Sequence, residues 1–370
     1  MVRLTGLLLC LVTAPSPVFA SSQADGRAAA YTIEQIGGPI EHPWGVAQIS
    51  ENEVLVTVRA GEVLRVALDT GQQAALQPVP LVASFRQGGM LDVAYDPATS
   101  EVYLCYSKPV AGGATVAVAT AELKGTQLEG LTDIFVSNHR ASAGVHFGCR
   151  LALTGDHLFA SLGDRGDRDN SQDATSHAGS IVRIDRGSPQ TKNQVLQRAN
   201  SQPEWLPEIY SIGHRNPQGL ALQPKTGLLW AHEHGPRGGD EINLIQQNQN
   251  YGWPTVSYGK EYVGGEIGLS YSPEGFQDPL WIWDPSIAPS GMTFYDADMF
   301  PEWQGDLLVG ALRFTSIYRV EFDAQTNRPV SEQRLFNGEF GRVRDVEQAW
   351  DGSLLVLSDA PDGGLFRVSR

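Results

Sequence analysis

Short apolar runs broken by Gly, Pro, Asn and Asp recur along this chain, and no long stretch keeps the 3.6-residue period of an amphipathic helix. One pattern repeats: a small or polar residue leads into an apolar strand, a turn follows, and a second apolar strand comes next. Its six copies are residues 45–48 with 54–58, 90–95 with 102–106, 150–153 with 158–162, 219–222 with 228–231, 291–295 with 307–310, and 345–349 with 354–357. A third strand follows each pair. Four of these share a signature, Val63-Leu64-Arg65-Val66, Ile181-Val182-Arg183-Ile184, Ile317-Tyr318-Arg319-Val320 and Leu365-Phe366-Arg367-Val368. Arg among alternating apolar residues fits a half-exposed strand. Six units of three to four strands at irregular spacing predict an all-β fold, a six-bladed β-propeller with four-stranded antiparallel blades. The run 31–36 has no blade of its own, so it is expected to supply the outer strand of the last blade and close the ring. Residues 31–370 then read as one domain without a linker.

Composition agrees and narrows the setting. Forty Gly and 22 Pro suit a chain of strands and turns. A net charge of −15 argues against nucleic acid and acidic membrane surfaces as partners. Residues 1–20 read as a secretory leader, with Arg3, an apolar core at 7–12 and a small residue, Ala20, at the cleavage point. That apolar core is too short for a membrane span, so an exported protein, periplasmic or secreted, is expected. Cys105 and Cys149 both fall within predicted strands far apart in sequence. Two buried free thiols are expected, although an oxidising compartment would allow them to pair.

In a propeller, loops from every blade meet at one end of a central channel, and polar residues stand out at the blade starts and ends. Gln87 precedes the first strand of blade two. His146 precedes that of blade three, and Asp164 follows the second strand of the same blade. Neighbouring strands would bring both to one rim, where the carboxylate could orient the imidazole as a base. Arg215 and Asn216 open blade four, Arg313 follows the second strand of blade five, and Arg342 and Arg344 open blade six. Several Arg at one rim of an acidic protein point to a multiply anionic ligand, because Arg binds carboxylates bidentately. Residues 165–169 read as a solvated charged loop. In the loop GPRGGDE, Gly235 and Pro236 offer backbone carbonyls of the kind a hard cation such as calcium accepts.

The motifs QGGMLDVAYDP, HFGCRLAL followed by GDRGD, GHRNPQGLAL, HGPRGGDEINLI, NYGWP, APSG and RVRDV occur in this order along nearly the whole chain. In this order and spacing the chain resembles the PQQ-dependent soluble aldose sugar dehydrogenases, relatives of soluble quinoprotein glucose dehydrogenase. That resemblance implies pyrroloquinoline quinone (PQQ) in the central cavity and a calcium ion that binds and activates it. By the same resemblance His146 is the general base and Asp164 its partner, and Gln87 lies beside cofactor and substrate. Arg215 and Asn216 contact the quinone's reactive edge, Gly235 and Pro236 ligate the active-site calcium, and Glu241 and Tyr251 a second, structural one. Arg342 and Arg344 hold the cofactor's carboxylates. Arg313 stands where the glucose enzymes have Lys, and Cys149 where the family motif has Gly. The shorter chain lacks room for dimerisation insertions, which implies a monomer.

The function expected is oxidation of the C1 hydroxyl of aldoses to lactones, with hydride passing to the quinone C5 and electrons onward to an external acceptor. A calcium-dependent propeller lactonase is one alternative, but it would hold calcium mainly by acidic side chains. A non-catalytic carbohydrate- or protein-binding propeller is another, but it would have no need of the base and the Arg set. Trp44, Tyr258, Tyr262 and Trp281 could stack on sugars, with packing between blades expected for Trp44 and Trp281. A shallow cleft and broad specificity are expected.

Overall fold

A computed structural model describes residues 31–186 and 204–370, and the expected leader 1–20 lies outside them. The strands form six sheets. Blade one is Pro43–Ser50, Glu53–Val58, Glu62–Ala67 and Gln73–Ala75, and blade two is Met90–Asp96, Glu101–Val110, Gly113–Lys124 and Gln127–Val136. Blade three runs Leu151–Leu153, His157–Ser161, Ser180–Asp185 and Ile209–Ile212, and blade four Pro217–Leu222, Leu229–Glu233, Asp240–Ile245 and Trp281–Trp283. Blade five holds Pro289–Phe294, Leu307–Ala311, Ser316–Asp323 and Arg328–Leu335. Blade six holds Val343–Gln348, Leu354–Ser358 and Leu365–Ser369. Its fourth strand is Thr32–Ile36, paired antiparallel from Thr32 opposite Ser369 to Ile36 opposite Leu365. The ring therefore closes as the unplaced first strand predicts. Blade three differs from the expected four strands: Gln249–Asn250, from the insertion in blade four, adds a fifth in parallel to Ile209–Ile212.

Each sheet is apolar on both faces because each is sandwiched between two others, so the core is a set of layers between blades. Blades two and three share Leu91, Val116, Phe147, Leu158 and Val182, while blades four and five share Trp230, Trp281, Trp283, Phe294 and Tyr318. Three of the four third-strand Arg residues have a common use, while Arg183 lies 6.0 Å from the Tyr210 ring centroid. Arg65 pairs with Glu53 at 2.6 Å, Arg319 with Asp306 at 2.6 Å, and Arg367 with Asp351, each an acid at or near the start of the neighbouring second strand. These strands lie third from the axis, with a fourth outside them. No helix among the described residues is long and apolar enough to cross a membrane.

The two cysteines depart from the expectation. Cys105 and Cys149 are joined in a disulfide, with Cα atoms 5.9 Å apart. Cys105 lies on the second strand of blade two and Cys149 just before the first strand of blade three. Sequence distance misleads here, because consecutive blades pack face to face.

Candidate active site

The rim where the blades begin carries the polar cluster. Leu151 pairs with Ala160 in blade three, so the loop before one strand and the loop after the other meet there. His146 and Asp164 sit on those two loops, with Nδ1 of the imidazole 2.6 Å from Oδ1 of the carboxylate. Gly163 lets the two loops touch, since a Cβ there would collide with the carbonyl of His146. Asp164 also accepts from the Trp253 indole at 2.9 Å and from the Gly166 amide at 2.7 Å. Burial pushes this carboxyl up. The bond and charge of His146, the Gly166 amide and the Arg215 charge outweigh that and hold it below the usual carboxylate range. An ionised Asp164 can only accept, so Nδ1 carries the proton, and in the neutral ring Nε2 keeps its lone pair. Gln87 fixes the same loop by accepting the His146 amide at 2.7 Å, and Asn216 accepts the Gly148 amide at 3.2 Å.

Beside this pair a cavity of about 240 Å³ opens, lined by Arg59, Arg342 and Arg344 among its charged residues, by Gln87, Asn216, Gln218 and His234, and by the rings of Trp44 and Phe147. Arg344 is buried. One of its nitrogens donates to Asp359 at 2.7 Å, another lies 3.3 Å from Gln218, and Nε has no partner within the chain. Burial lowers the Arg344 guanidinium, and Asp359 works against that. Asp359 itself lies well below the usual carboxylate range. Its burial is more than offset by Arg344, His42 and Arg342. Arg342 is half exposed and bonds weakly, to Leu312 O at 3.3 Å and Asp359 at 3.5 Å. Flat aromatic walls, amide groups and underused guanidinium donors suit a planar polyanion.

His234 also faces a second, smaller cavity, lined by Arg215, Glu233, Gly235, Pro236, Glu241, Tyr251 and Trp253. Arg215 donates to the carbonyls of His234 at 3.0 Å and Gly235 at 3.1 Å, so this loop turns two oxygens toward one cationic nitrogen. Asp240 shapes the loop by accepting the Gly235 amide at 2.9 Å, and a Cβ on Gly235 would strike the carbonyls of Gly238 and Gly239. Burial raises the Glu241 carboxyl well above its ordinary range, and the charges of Glu233, Asp240 and Asp278 add to this. Carbonyls converging on a positive group beside crowded buried acids are what a hard cation requires. Among the described residues no three His, Cys, Asp or Glu side chains gather as a ligand set, so such an ion would depend on backbone oxygens.

Three residues stand differently from the expectation. Arg313 is absent from the cavity lining. Its guanidinium donates to Ser286 O at 3.1 Å and lies 5.1 Å from the Phe314 ring. The Tyr251 hydroxyl is already engaged, donating to Leu244 O at 2.6 Å and accepting from the Gln246 amide at 2.9 Å, which leaves only its carbonyl for a metal. Arg165 is buried rather than solvated. It lies 3.3 Å from the Phe147 ring centroid and donates to the carbonyls of Val145 and Ala143.

The profile of the Glucose / Sorbosone dehydrogenase family matches residues 40–367. The chain belongs to that family. It is 36% identical over 353 residues to the aldose sugar dehydrogenase YliI of Escherichia coli, covering 92% of this chain and 93% of that one. The apo crystal structure of the soluble aldose sugar dehydrogenase from Escherichia coli superposes with a TM-score of 0.85 at 33% identity, covering 92% and 99% of the two chains. The PQQ-bound form of an aldose sugar dehydrogenase from Streptomyces coelicolor gives 0.71 at 26% identity, covering 93% and 99%.

In this member of the family, several site residues escape sequence reasoning. Trp253 reaches Asp164 from an insertion between the third and fourth strands of blade four. Glu233 accepts the Arg215 amide and bonds His214 at 2.9 Å, holding the His-Arg-Asn turn from below. Asp359 and Arg59 come from blades six and one. Only the NYGWP motif signals any of them, and it marks a turn without naming its partner.

Proposed function

We propose that this chain oxidises the C1 hydroxyl of aldose sugars to lactones, using PQQ and calcium and passing electrons to an external acceptor. The supporting observation is the relay Trp253–Asp164–His146 set beside an Arg-lined cavity of the right chemistry for a planar tricarboxylate. When bound, PQQ accepts a hydride and calcium acts on it as a Lewis acid. The chain does the rest. His146 takes the hydroxyl proton at Nε2, and Asp164 holds the ring and stabilises the imidazolium that forms. Arg344 and Arg342 bind carboxylates, and Asn216 and Gln87 position the loop of the base. The carbonyls of Gly235 and Pro236 would hold the active-site calcium, with Arg215 moving off them to meet developing negative charge. Glu241 would neutralise a second ion. Export to an oxidising compartment fits the Cys105–Cys149 disulfide.

Reconstitution tests the reading. Purified apoprotein is expected to gain dye-linked oxidation of glucose and maltose only when PQQ and calcium are both added. Failure across a broad sugar panel with both present, or lactone hydrolysis by PQQ-free protein, would sink it.

A further inference from the structure

The segment carrying His146 follows an unfavourable path. Within four residues His146, Gly148 and Cys149 all have left-handed backbones, at φ of 49°, 67° and 84°. Cys rarely occupies that region and His does so uncommonly, and a run of such conformations persists only where the surroundings over-determine it. Several groups hold this segment. Gln87 takes the His146 amide, Asn216 the Gly148 amide, and Ser161 O the Cys149 amide at 2.8 Å, while Arg165 caps the carbonyls of Ala143 and Val145. One tie is covalent. The disulfide from Cys149 reaches Cys105, and both residues are fully buried between blades two and three.

The strand at the other end of that bond has a second task. Ser107, two residues beyond Cys105, takes the Gly89 amide at 2.7 Å and donates to Ala83 O at 2.9 Å. It thereby fixes the loop bearing Gln87. The disulfide thus joins the two supports that meet where Gln87 receives the His146 amide.

We propose that the Cys105–Cys149 disulfide is a positioning element for His146, holding residues 143–150 in the left-handed path that aims the imidazole. This rests on the reading of His146 as the base. Its consequence is that cutting the bond loosens the segment and lowers turnover, beyond any loss of overall stability.

Two substitutions cut the bond by different routes. Cys149→Gly leaves a residue at ease at positive φ, and Cys105→Ala leaves Cys149 in place. Amide exchange in the full chain without cofactor is expected to rise about tenfold over residues 143–150 in both variants, with the strands of blades four and five unchanged. In the loaded enzyme kcat is expected to fall about tenfold with the sugar KM within twofold, since small misplacements of a reacting group are costly. In a His146→Gln background the same cuts should no longer alter kcat. If either variant fails to fold, the other, together with a Cys105→Val/Cys149→Gly double variant, carries the same measurements. Unchanged exchange over 143–150, unchanged kcat, or two free thiols in the unreduced protein would each overturn the proposal. Should His146→Gln alone leave kcat intact, the assignment of the base falls, and the exchange experiment still judges the disulfide.

Discussion

Asp164 holds one tautomer of His146 with Oδ1 while Oδ2 is occupied by the Trp253 indole, so each side of the carboxylate can be removed separately. Asp164→Asn keeps the shape and loses the charge that fixes Nδ1–H. It is expected to lower kcat by less than the roughly 10²–10⁴ that loss of the base itself typically costs, with PQQ affinity nearly unchanged by equilibrium titration. Trp253→Phe removes one hydrogen bond and should cost far less, about tenfold in kcat. Arg344→Ala should act in the opposite sense, weakening PQQ binding by roughly two orders of magnitude, because a charged hydrogen bond is worth about 1.5–3 kcal/mol. If its kcat fell at saturating PQQ and binding held, Arg344 would belong to the chemistry. At this scale the sequence is informative only where two residues flank adjacent strands, as His146 and Asp164 do. Trp253 arrives from another blade and no local pattern announces it, whereas Glu233 and Asp359 face Arg215 and Arg344 across adjacent strands of one blade, the same relation as His146 and Asp164. Arg165 illustrates the reverse: its charged neighbours read as solvent-facing, yet its own side chain turns inward onto Phe147.

Blades are legible because each repeats the same alternation of apolar strands, and the Arg of the third strand marks its register. Their pairing across blade faces is less legible, since contacts between consecutive sheets leave no periodic trace, and the joined cysteines show it. The bond closes a loop with a sequence separation of 44. The chain-entropy estimate gives about 4 kcal/mol for such a loop. Urea unfolding of Cys105→Ala should show a loss of that order, while Cys149→Gly should lose less in the folded state because its φ of 84° no longer burdens a side chain. The closing strand Thr32–Ile36 is a second case. Ile36 is buried among Val46, Val56, Leu355 and Leu365 at the seam of blades six and one. Replacing it with Ala should cost about 2–5 kcal/mol in urea melts, with unchanged sheet content by circular dichroism.

Across the whole ring, the buried Arg150 lies below the Arg-lined cavity. It bonds Asp92 at 2.9 Å and Asp345 at 3.0 Å and lies 4.3 Å from the Trp44 ring centroid. Beneath it Glu347 faces a cavity of about 310 Å³ at the opposite mouth, lined mostly by strand residues of blades three to five. Burial raises the Glu347 carboxyl well above its ordinary range, and Asp345 and Asp92 add to this despite Arg150. An acid raised on folding keeps its proton after the unfolded chain has lost its own. Stability therefore falls as pH rises above the unfolded value, then levels off once the folded carboxyl has ionised. Glu347→Gln should match wild type near pH 4 and exceed it at pH 8 by about 1 kcal/mol, a modest figure because water reaches one side. Equal urea midpoints at both pH values would contradict this. Substrate breadth also belongs to this scale: Tyr262 is 68% exposed, Trp44 is a buried wall of the Arg-lined cavity, and Trp281 is buried in packing. Ratios of kcat/KM for glucose and maltose should lie within about a thousandfold, or roughly 4 kcal/mol. Finally, the seam between Thr32–Ile36 and Leu365–Ser369 ties folding to synthesis. Thr32–Ile36 must wait for Leu365–Ser369, so the ring cannot shut until the strands of blade six have been made. Blades one to five can stack during translation, but the sheet of blade six forms by docking of strands far apart in sequence, a slow, high-contact-order event. A circular permutant that starts between two other blades and links the present ends would make that seam local, and should close faster.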